Sequence, residues 1–167
     1  MTQIKKAEKL IDVLHKNCKL SLEQVAAIAE MTVPEAAAAI EALEKEGVIM
    51  GYGAVINWDK LPSAKDKVTA YIELKVTPQR HNGFNRLAQQ IYQFPQVKSM
   101  NLMSGSYDFG VTVEGESIKD ISLFVSEHLA TMESVLSTAT HFVLKRYKDD
   151  GVVFSSEKED DREVISL

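Results

Sequence analysis

The residues best suited to bind a ligand occur together in one short segment, Ser104, Gly105, Ser106, Tyr107 and Asp108. A glycine-serine turn exposes backbone amides that can bind a carboxylate, and the carboxylate of Asp108 can bind an ammonium group. Such a loop suits a zwitterion. The residues alone leave a second interpretation open, a tight hairpin turn in which Gly105 serves backbone geometry and Asp108 caps local amides.

The remaining reactive residues form no recognisable site. The four histidines are far apart in the chain and lack metal-ligand spacing, and Cys18 has no Cys-x-x-Cys partner. The sequence also contains no glycine-rich phosphate loop and no Gly-x-Ser-x-Gly nucleophile motif. We therefore expect no metal, no cofactor and no enzymatic activity.

The composition is that of a globular chain, since 45% of the 167 residues are hydrophobic and 26% are charged. A single cysteine excludes a disulfide framework within the chain and favours a reducing compartment. No apolar run approaches the roughly 18 to 20 residues needed to span a bilayer, and the N-terminus does not resemble a signal peptide. We expect a cytoplasmic protein that does not interact with a membrane.

Three helices are predicted in the N-terminal part. Apolar residues at helical spacing predict the first helix, which ends near Asn17. Two capping boxes, beginning at Ser21 and Thr32, start the second and third helices, and Gly47 ends the third. The third helix is expected to bury Val33, Ala36, Ala37, Ile40 and Leu43. This spacing favours a trihelical helix-turn-helix, and a bundle that packs without contacting DNA remains the alternative.

A different pattern begins at Val68, where hydrophobic residues alternate as in a half-buried strand. A helix, two strands joined by residues 104–106, another helix and a final strand over residues 135–147 follow. The order βαββαβ predicts a ferredoxin-like sheet with both helices on one face. The fold class is therefore α+β, a trihelical (winged) helix-turn-helix domain followed by a ferredoxin-like domain. We expect the open face of the sheet to pair in a homodimer.

Charge and turn residues divide the chain into three parts. The predicted domains are residues 1–62, which include a β-prone hinge strand at residues 48–56, and residues 63–148. The tail, residues 149–167, holds 2 basic and 7 acidic residues, so the net charge of -5 is a property of the tail. The simplest interpretation is that such a tail is exposed to solvent. The alternative is an arm that packs on a neighbouring subunit through the apolar residues Val152, Val153, Phe154, Val164 and Ile165.

Three motifs together resemble the Lrp/AsnC family of transcriptional regulators. The first comprises Leu43 and Glu44 with residues 47–49 and 51–52, the second is the loop at residues 105–108, and the third is Val135, Thr138 and Thr140. The resemblance implies an N-terminal domain that binds double-stranded DNA. It also implies a C-terminal domain that dimerises, commonly assembles into octamers and binds an amino-acid effector between dimers, with Thr138 and Thr140 as further hydroxyl contacts to the loop.

The third helix departs from the family pattern, because it lacks the arginines that usually contact DNA there. Residues 1–60 contain no arginine, although bidentate arginine is the commonest specific contact to guanine. We expect flanking lysines to hold phosphates, alanines to meet thymine methyl groups, and multivalency to strengthen weak binding. The predicted DNA-binding residues are Lys5, Lys6, Lys9, Lys19, Thr32, Val33, Glu35, Ala38, Ala39, Ala42 and Lys45. The alternative is an effector-binding protein that has lost DNA affinity and acts through a partner subunit.

Overall fold

Three helices make up the N-terminal part of the computed structural model, which describes residues 3–61, 67–77 and 83–154. They are α1 (Gln3–Lys16), α2 (Leu22–Ala29) and α3 (Val33–Lys45). Leu10 of α1 and Ala36 of α3 are fully buried against three residues of α2, namely Val25, Ala26 and Ala29. The small alanines allow close approach of the helices, so a short sequence can close a trihelical core.

Both predicted capping boxes are formed. The amide of Gln24 donates to Ser21 Oγ at 3.3 Å, and the Ser21 amide donates to Gln24 Oε1 at 2.9 Å. At α3 the amide of Thr32 donates to Glu35 Oε2 at 2.8 Å. Glu30 lies between the two helices in the left-handed conformation, with φ of 58°, and reverses the chain direction within two residues. The helix-turn-helix geometry is therefore encoded by local hydrogen bonds.

The hinge strand predicted at residues 48–56 is not formed. A strand requires the backbone of a neighbour, and the described residues offer these positions none. The segment is instead tethered by side chains, since Tyr52 Oη donates to Glu44 Oε1 at 2.8 Å. The chain divides into two compact units, Met1–Val55 and Ile56–Leu167. The boundary predicted at residue 62 lies outside the described residues.

The second unit is the predicted βαββαβ fold. Its elements are β1 (Val68–Val76), α4 (Gly83–Tyr92), β2 (Val97–Leu102), β3 (Phe109–Gly115), α5 (Ile118–Phe124) and β4 (Val135–Phe142). The four strands form one antiparallel sheet in the order β2-β3-β1-β4. A single π-helical turn, Val125–Leu129, continues α5. Ile72, Leu74, Val111, Ile91 and Leu129 are fully buried between the sheet and its helices.

The final strand ends at Phe142, five residues before the predicted end at residue 147. β1 supplies its pairing partner, and β1 begins at Val68, so the ladder ends soon after Ala70 meets Phe142. The start of the predicted tail then forms a two-stranded hairpin, β5 (Lys148–Asp149) and β6 (Val152–Val153). The acidic run beyond Phe154 lies outside the described residues.

Candidate functional site

The loop at residues 104–108 is held to β1 by Asp108. Its carboxylate Oδ2 accepts a hydrogen bond of 2.8 Å from the Val76 amide, and its own amide donates to the Leu74 carbonyl at 2.9 Å. Val76 lies at the register shift between β1 and β4. One carboxylate oxygen therefore caps a local backbone amide, as in the second interpretation of the loop. The described residues give the other oxygen, Oδ1, no hydrogen bond.

Tyr107 extends the loop toward the open face of the sheet. Its hydroxyl lies 2.9 Å from that of Tyr71 on β1, and the two rings meet edge to face. The hydrogen bond with Tyr107, followed by burial and by nearby negative charge, raises the pKa of Tyr71 to about 12. Tyr71 therefore stays protonated at neutral pH, and its hydroxyl can act as donor or acceptor in the hydrogen bond with Tyr107.

Gly110 on β3 makes room for this tyrosine pair. A Cβ at this position would lie 1.9 Å from Tyr71 Oη, so no larger residue fits while Tyr71 keeps its place. Sequence reasoning did not select either residue as part of the site. The contact between Gly110 and Tyr71 could not be predicted from spacing within one segment, because the two residues lie on adjacent paired strands.

Thr138 and Thr140 are not brought to the loop within one chain. They pair with Leu74 and Ile72, and residues opposite each other in an antiparallel ladder point to the same face. Because Leu74 and Ile72 are buried beneath the helices, both threonines are on the helix side of the edge strand. The strand spacing places them about 10 Å from the loop. In the described part of the chain neither threonine bonds to residues 104–108.

Most of the predicted DNA-contacting residues of α3 are exposed. Thr32, Ala38, Ala42 and Lys45 lie on the surface, as expected for DNA contacts. Val33 is exposed too, so its predicted burial, like that of Ala37, was wrong. Ala39 was expected there too, but it is half-buried and packs against the N-terminal core. Ala39 is therefore a packing residue. The exposed face of α3 is narrower than the predicted DNA-binding face, and Ala38 and Ala42 give it small side chains.

Two of the predicted residues are engaged with other groups of the same unit. Glu35 accepts from the Thr32 amide and from Thr32 Oγ1 at 2.9 Å, and these bonds, the backbone one first, lower the pKa of its carboxyl. Lys9 Nζ lies 2.5 Å from Glu30 Oε1, and this hydrogen bond and the lysine charge lower the pKa of Glu30. The described ion pairs thus direct Lys9 toward the turn between α2 and α3.

The remaining predicted lysines differ in how exposed their side chains are. Lys19 and Lys45 are exposed, whereas Lys6 is half-buried and its charge reaches both Glu30 and Glu35. Lys5 belongs to α1, but its side chain lies outside the described residues. In the first unit α3 is therefore exposed. The positive charges near it are partly neutralised by acidic residues of the same unit.

Comparison with known proteins identifies the second unit as a sensor domain. The sequence profile of the Lrp/AsnC ligand binding domain matches residues 69–153. A relative from Bacillus subtilis, described as the uncharacterized HTH-type transcriptional regulator YugG, is 44% identical over 166 residues, which is 99% of both chains. The chain belongs to the Lrp/AsnC family. It is a DNA-binding transcriptional regulator with an effector-sensing domain.

Two more distant transcriptional regulators match most of the chain. The proline dehydrogenase transcriptional activator of Rhizobium radiobacter is 22% identical over 144 residues, covering 86% of this chain and 90% of its own. The crystal structure of the transcriptional regulator NMB0573 from Neisseria meningitidis, solved with L-Met, superposes with a TM-score of 0.71 at 21% identity. It covers 89% of this chain and 94% of its own. Among the described residues, no helix is both long and apolar enough to cross a membrane.

Proposed function

We propose that this Lrp/AsnC regulator binds double-stranded DNA through the exposed face of α3 and binds an amino acid at the loop of residues 104–108. The observation that supports the effector site best is that Asp108 uses one carboxylate oxygen for the Val76 amide, while the described residues give its other oxygen no hydrogen bond. The neighbouring residue of the loop, Tyr107, bonds through its hydroxyl to Tyr71. A carboxylate, exposed amides and a phenol together match the ammonium and carboxylate groups of an amino acid.

The DNA contact rests on side-chain size and on the flanking lysines. Ala38 and Ala42 let the backbone of α3 lie deep in the major groove, where their methyl groups can meet thymine methyls. Lys19 and Lys45 are exposed and free to approach phosphates. Residues 1–60 hold 7 basic and 9 acidic residues, so the electrostatic attraction of one unit for DNA is weak. Several units acting together would supply the missing affinity.

The amino-acid assignment draws support from relatives. One is named for the activation of proline dehydrogenase, and one solved structure contains L-Met. We propose the same ligand class for this chain. The effector would favour one assembly over another and so change how many α3 helices engage DNA at once. Such a regulator would work in the cytoplasm.

Support for an assembly comes from the sheet. Its open face carries Tyr71, Thr112 and His141 in one row across three strands, whereas α4 and α5 pack on the opposite face. We propose that two copies pair these faces in a homodimer and that dimers join further, up to an octamer. Thr138 and Thr140, which lie on the edge strand away from the loop of their own chain, would then contact an effector only across a contact between dimers.

Asp108→Asn tests the effector site. An asparagine keeps an oxygen for the Val76 amide but loses the charge that binds an ammonium group, so the fold should persist while effector affinity falls about 10- to 100-fold. Differential scanning fluorimetry against the twenty amino acids measures the ligand-induced rise in melting temperature. Lys98→Met, at an exposed position of β2, is the control. A rise that survives in Asp108→Asn would contradict the assignment.

A second function is favoured by the ion pair of Lys9 with Glu30 and by the absence of arginine in residues 1–60. In this alternative the chain has lost specific DNA binding and acts by pairing with a related subunit. Selection of genomic DNA fragments by the purified protein distinguishes the two, because only the first function enriches particular sequences.

A further inference from the structure

Glu41 lies in the middle of the exposed face of α3. At about 3.6 residues per turn, Ala38, Glu41 and Lys45 fall within a stripe about 60° wide along the helix, and all three are exposed. Ala36 and Leu43, which pack in the N-terminal core, lie on the opposite side of the helix. The carboxylate of Glu41 is therefore placed where α3 would meet a ligand and not where it supports the fold.

The two acidic residues of α3 that flank this stripe are engaged within the chain. Glu35 accepts a hydrogen bond from the Thr32 amide, and Glu44 accepts one of 2.8 Å from Tyr52 Oη. The described residues give Glu41 neither a hydrogen bond nor an ion pair. Its carboxylate is therefore free to accept a hydrogen bond from a group outside the chain.

A carboxylate in this place restricts the DNA sequences that α3 can approach. An ionised carboxylate only accepts hydrogen bonds, and the phosphates of DNA repel its charge. In the major groove cytosine presents the N4 amino group, which is a donor, whereas guanine N7 and O6 and thymine O4 are acceptors. Adenine presents its N6 donor beside the N7 acceptor. Cytosine is thus the base whose exposed edge matches a carboxylate best.

We propose that Glu41 is a specificity-determining residue, which accepts a hydrogen bond from the N4 amino group of a cytosine in the major groove. This inference rests on the proposed contact of α3 with double-stranded DNA. The small side chains of Ala38 and Ala42 let α3 come close to the base edges. Lys45 lies about 6 Å further along the helix axis and offsets part of the repulsion between Glu41 and the phosphates.

The same carboxylate discriminates against other bases. Guanine or thymine in place of the cytosine would bring an acceptor against Glu41, and that contact would leave a desolvated charge without a donor. A helix without arginine can therefore still distinguish base pairs, because an acidic side chain reads one position by attraction and by exclusion.

Selection from a library of random DNA duplexes by the full-length protein tests the role of Glu41. The native protein should select half-sites in which one position prefers cytosine by at least about fivefold. Glu41→Gln should change the preferred base there to adenine, because an amide can both donate to N7 and accept from N6. Glu41→Ala should lose the preference at that position and keep the others.

Glu46→Gln is the matched control. It removes the same charge at the exposed end of α3, about 140° around the helix from Glu41. Both Glu46→Gln and Glu41→Ala should bind an unselected duplex more tightly than the native protein, because each removes a charge that phosphates repel. Only Glu41→Ala should lose the preference for cytosine. Circular dichroism checks that each variant is folded.

The outcomes separate the role of Glu41 from the function on which it rests. A native protein that selects no motif would contradict DNA recognition by α3 and with it the role of Glu41. A native motif that stays the same in Glu41→Gln and Glu41→Ala would overturn the role of Glu41 alone, and the carboxylate would then be solvated in the complex. Loss of the cytosine preference in Glu46→Gln as well would attribute the effect to net charge and would also overturn the proposal.

Discussion

Releasing Lys9 from Glu30 should strengthen the salt dependence of DNA binding. The two side chains form an ion pair at 2.5 Å while remaining 38% and 61% exposed, so Lys9 is near solvent but directed at a neighbouring acid. Glu30→Gln keeps the shape of the side chain and removes its charge. Lys9 then becomes available to a DNA phosphate, and one repulsive carboxylate disappears from the turn that precedes α3.

The magnitude follows from counterion release. The logarithm of the binding constant falls with the logarithm of salt concentration by about 0.9 per phosphate contacted. One freed lysine in each subunit of a dimer makes this slope steeper by about 1.8. Between about 50 and 200 mM salt, the variant should therefore lose about twelvefold more affinity than the native protein.

Fluorescence anisotropy with one labelled duplex, measured at several salt concentrations, gives the slope. The sequence of the duplex matters little, because phosphate contacts do not depend on it. Glu8→Gln is the matched control, since it makes the same charge change on exposed α1 surface and the described side chains give Glu8 no ion pair. Equal slopes for Glu30→Gln and the native protein would refute the reasoning. An equal increase in Glu8→Gln would attribute the effect to net charge alone.

Three further predictions concern stability and packing. Gly110→Ala should destabilise the protein by about 1 to 3 kcal/mol in urea unfolding, because its Cβ would lie 1.9 Å from Tyr71 Oη; Gly105→Ala, at a position with open space, should have little effect. Because the folded-state pKa of Tyr71, about 12, exceeds its ordinary value of 10.0, its contribution to stability is fully present below pH 10 and is lost toward pH 12. Thermal unfolding should show that Tyr107→Phe reduces this alkaline loss, and an unchanged loss would contradict the assignment. Ala36→Leu should cost about 1 to 3 kcal/mol because Ala36 is fully buried, whereas Ala38→Leu should change stability by less than about 0.5 kcal/mol but weaken DNA binding; equal stability of the two variants would contradict the assigned faces.

The helix-turn-helix could be predicted because its determinants are local. Ser21 with Gln24 and Thr32 with Glu35 form their capping boxes within four residues, whatever the rest of the chain does. The buried face of α3 was harder to predict from the sequence. Ala36, Ala37, Ala38 and Ala39 have the same side chain, so hydrophobic periodicity carries no contrast along this turn. Packing alone decides that Ala36 is inside and Ala37 outside.

The sequence predicts the order of the elements in the sheet domain. It does not predict the pairing register of the strands equally well. Alternation identified β1 and β4, but the end of β4 is set by where β1 begins, which lies far away in sequence. The register shift between Lys75 and Val76 likewise depends on pairing across strands. The site at residues 104–108 was predicted as a loop with Asp108 in it. Its bond to Val76 and the Tyr71–Gly110 contact are products of tertiary structure.

Sequencing the DNA fragments that the purified protein selects from sheared genomic DNA tests the central claim most directly. The selection is made at about 0.15 M salt, with and without a mixture of amino acids, so that weak nonspecific binding is screened. Ala38→Leu serves as a folded comparison with an altered α3 surface. The account predicts enrichment of a few loci that share a palindromic half-site, reduced in Ala38→Leu. No enrichment under either condition would contradict specific DNA recognition by α3 and would favour action through a partner subunit.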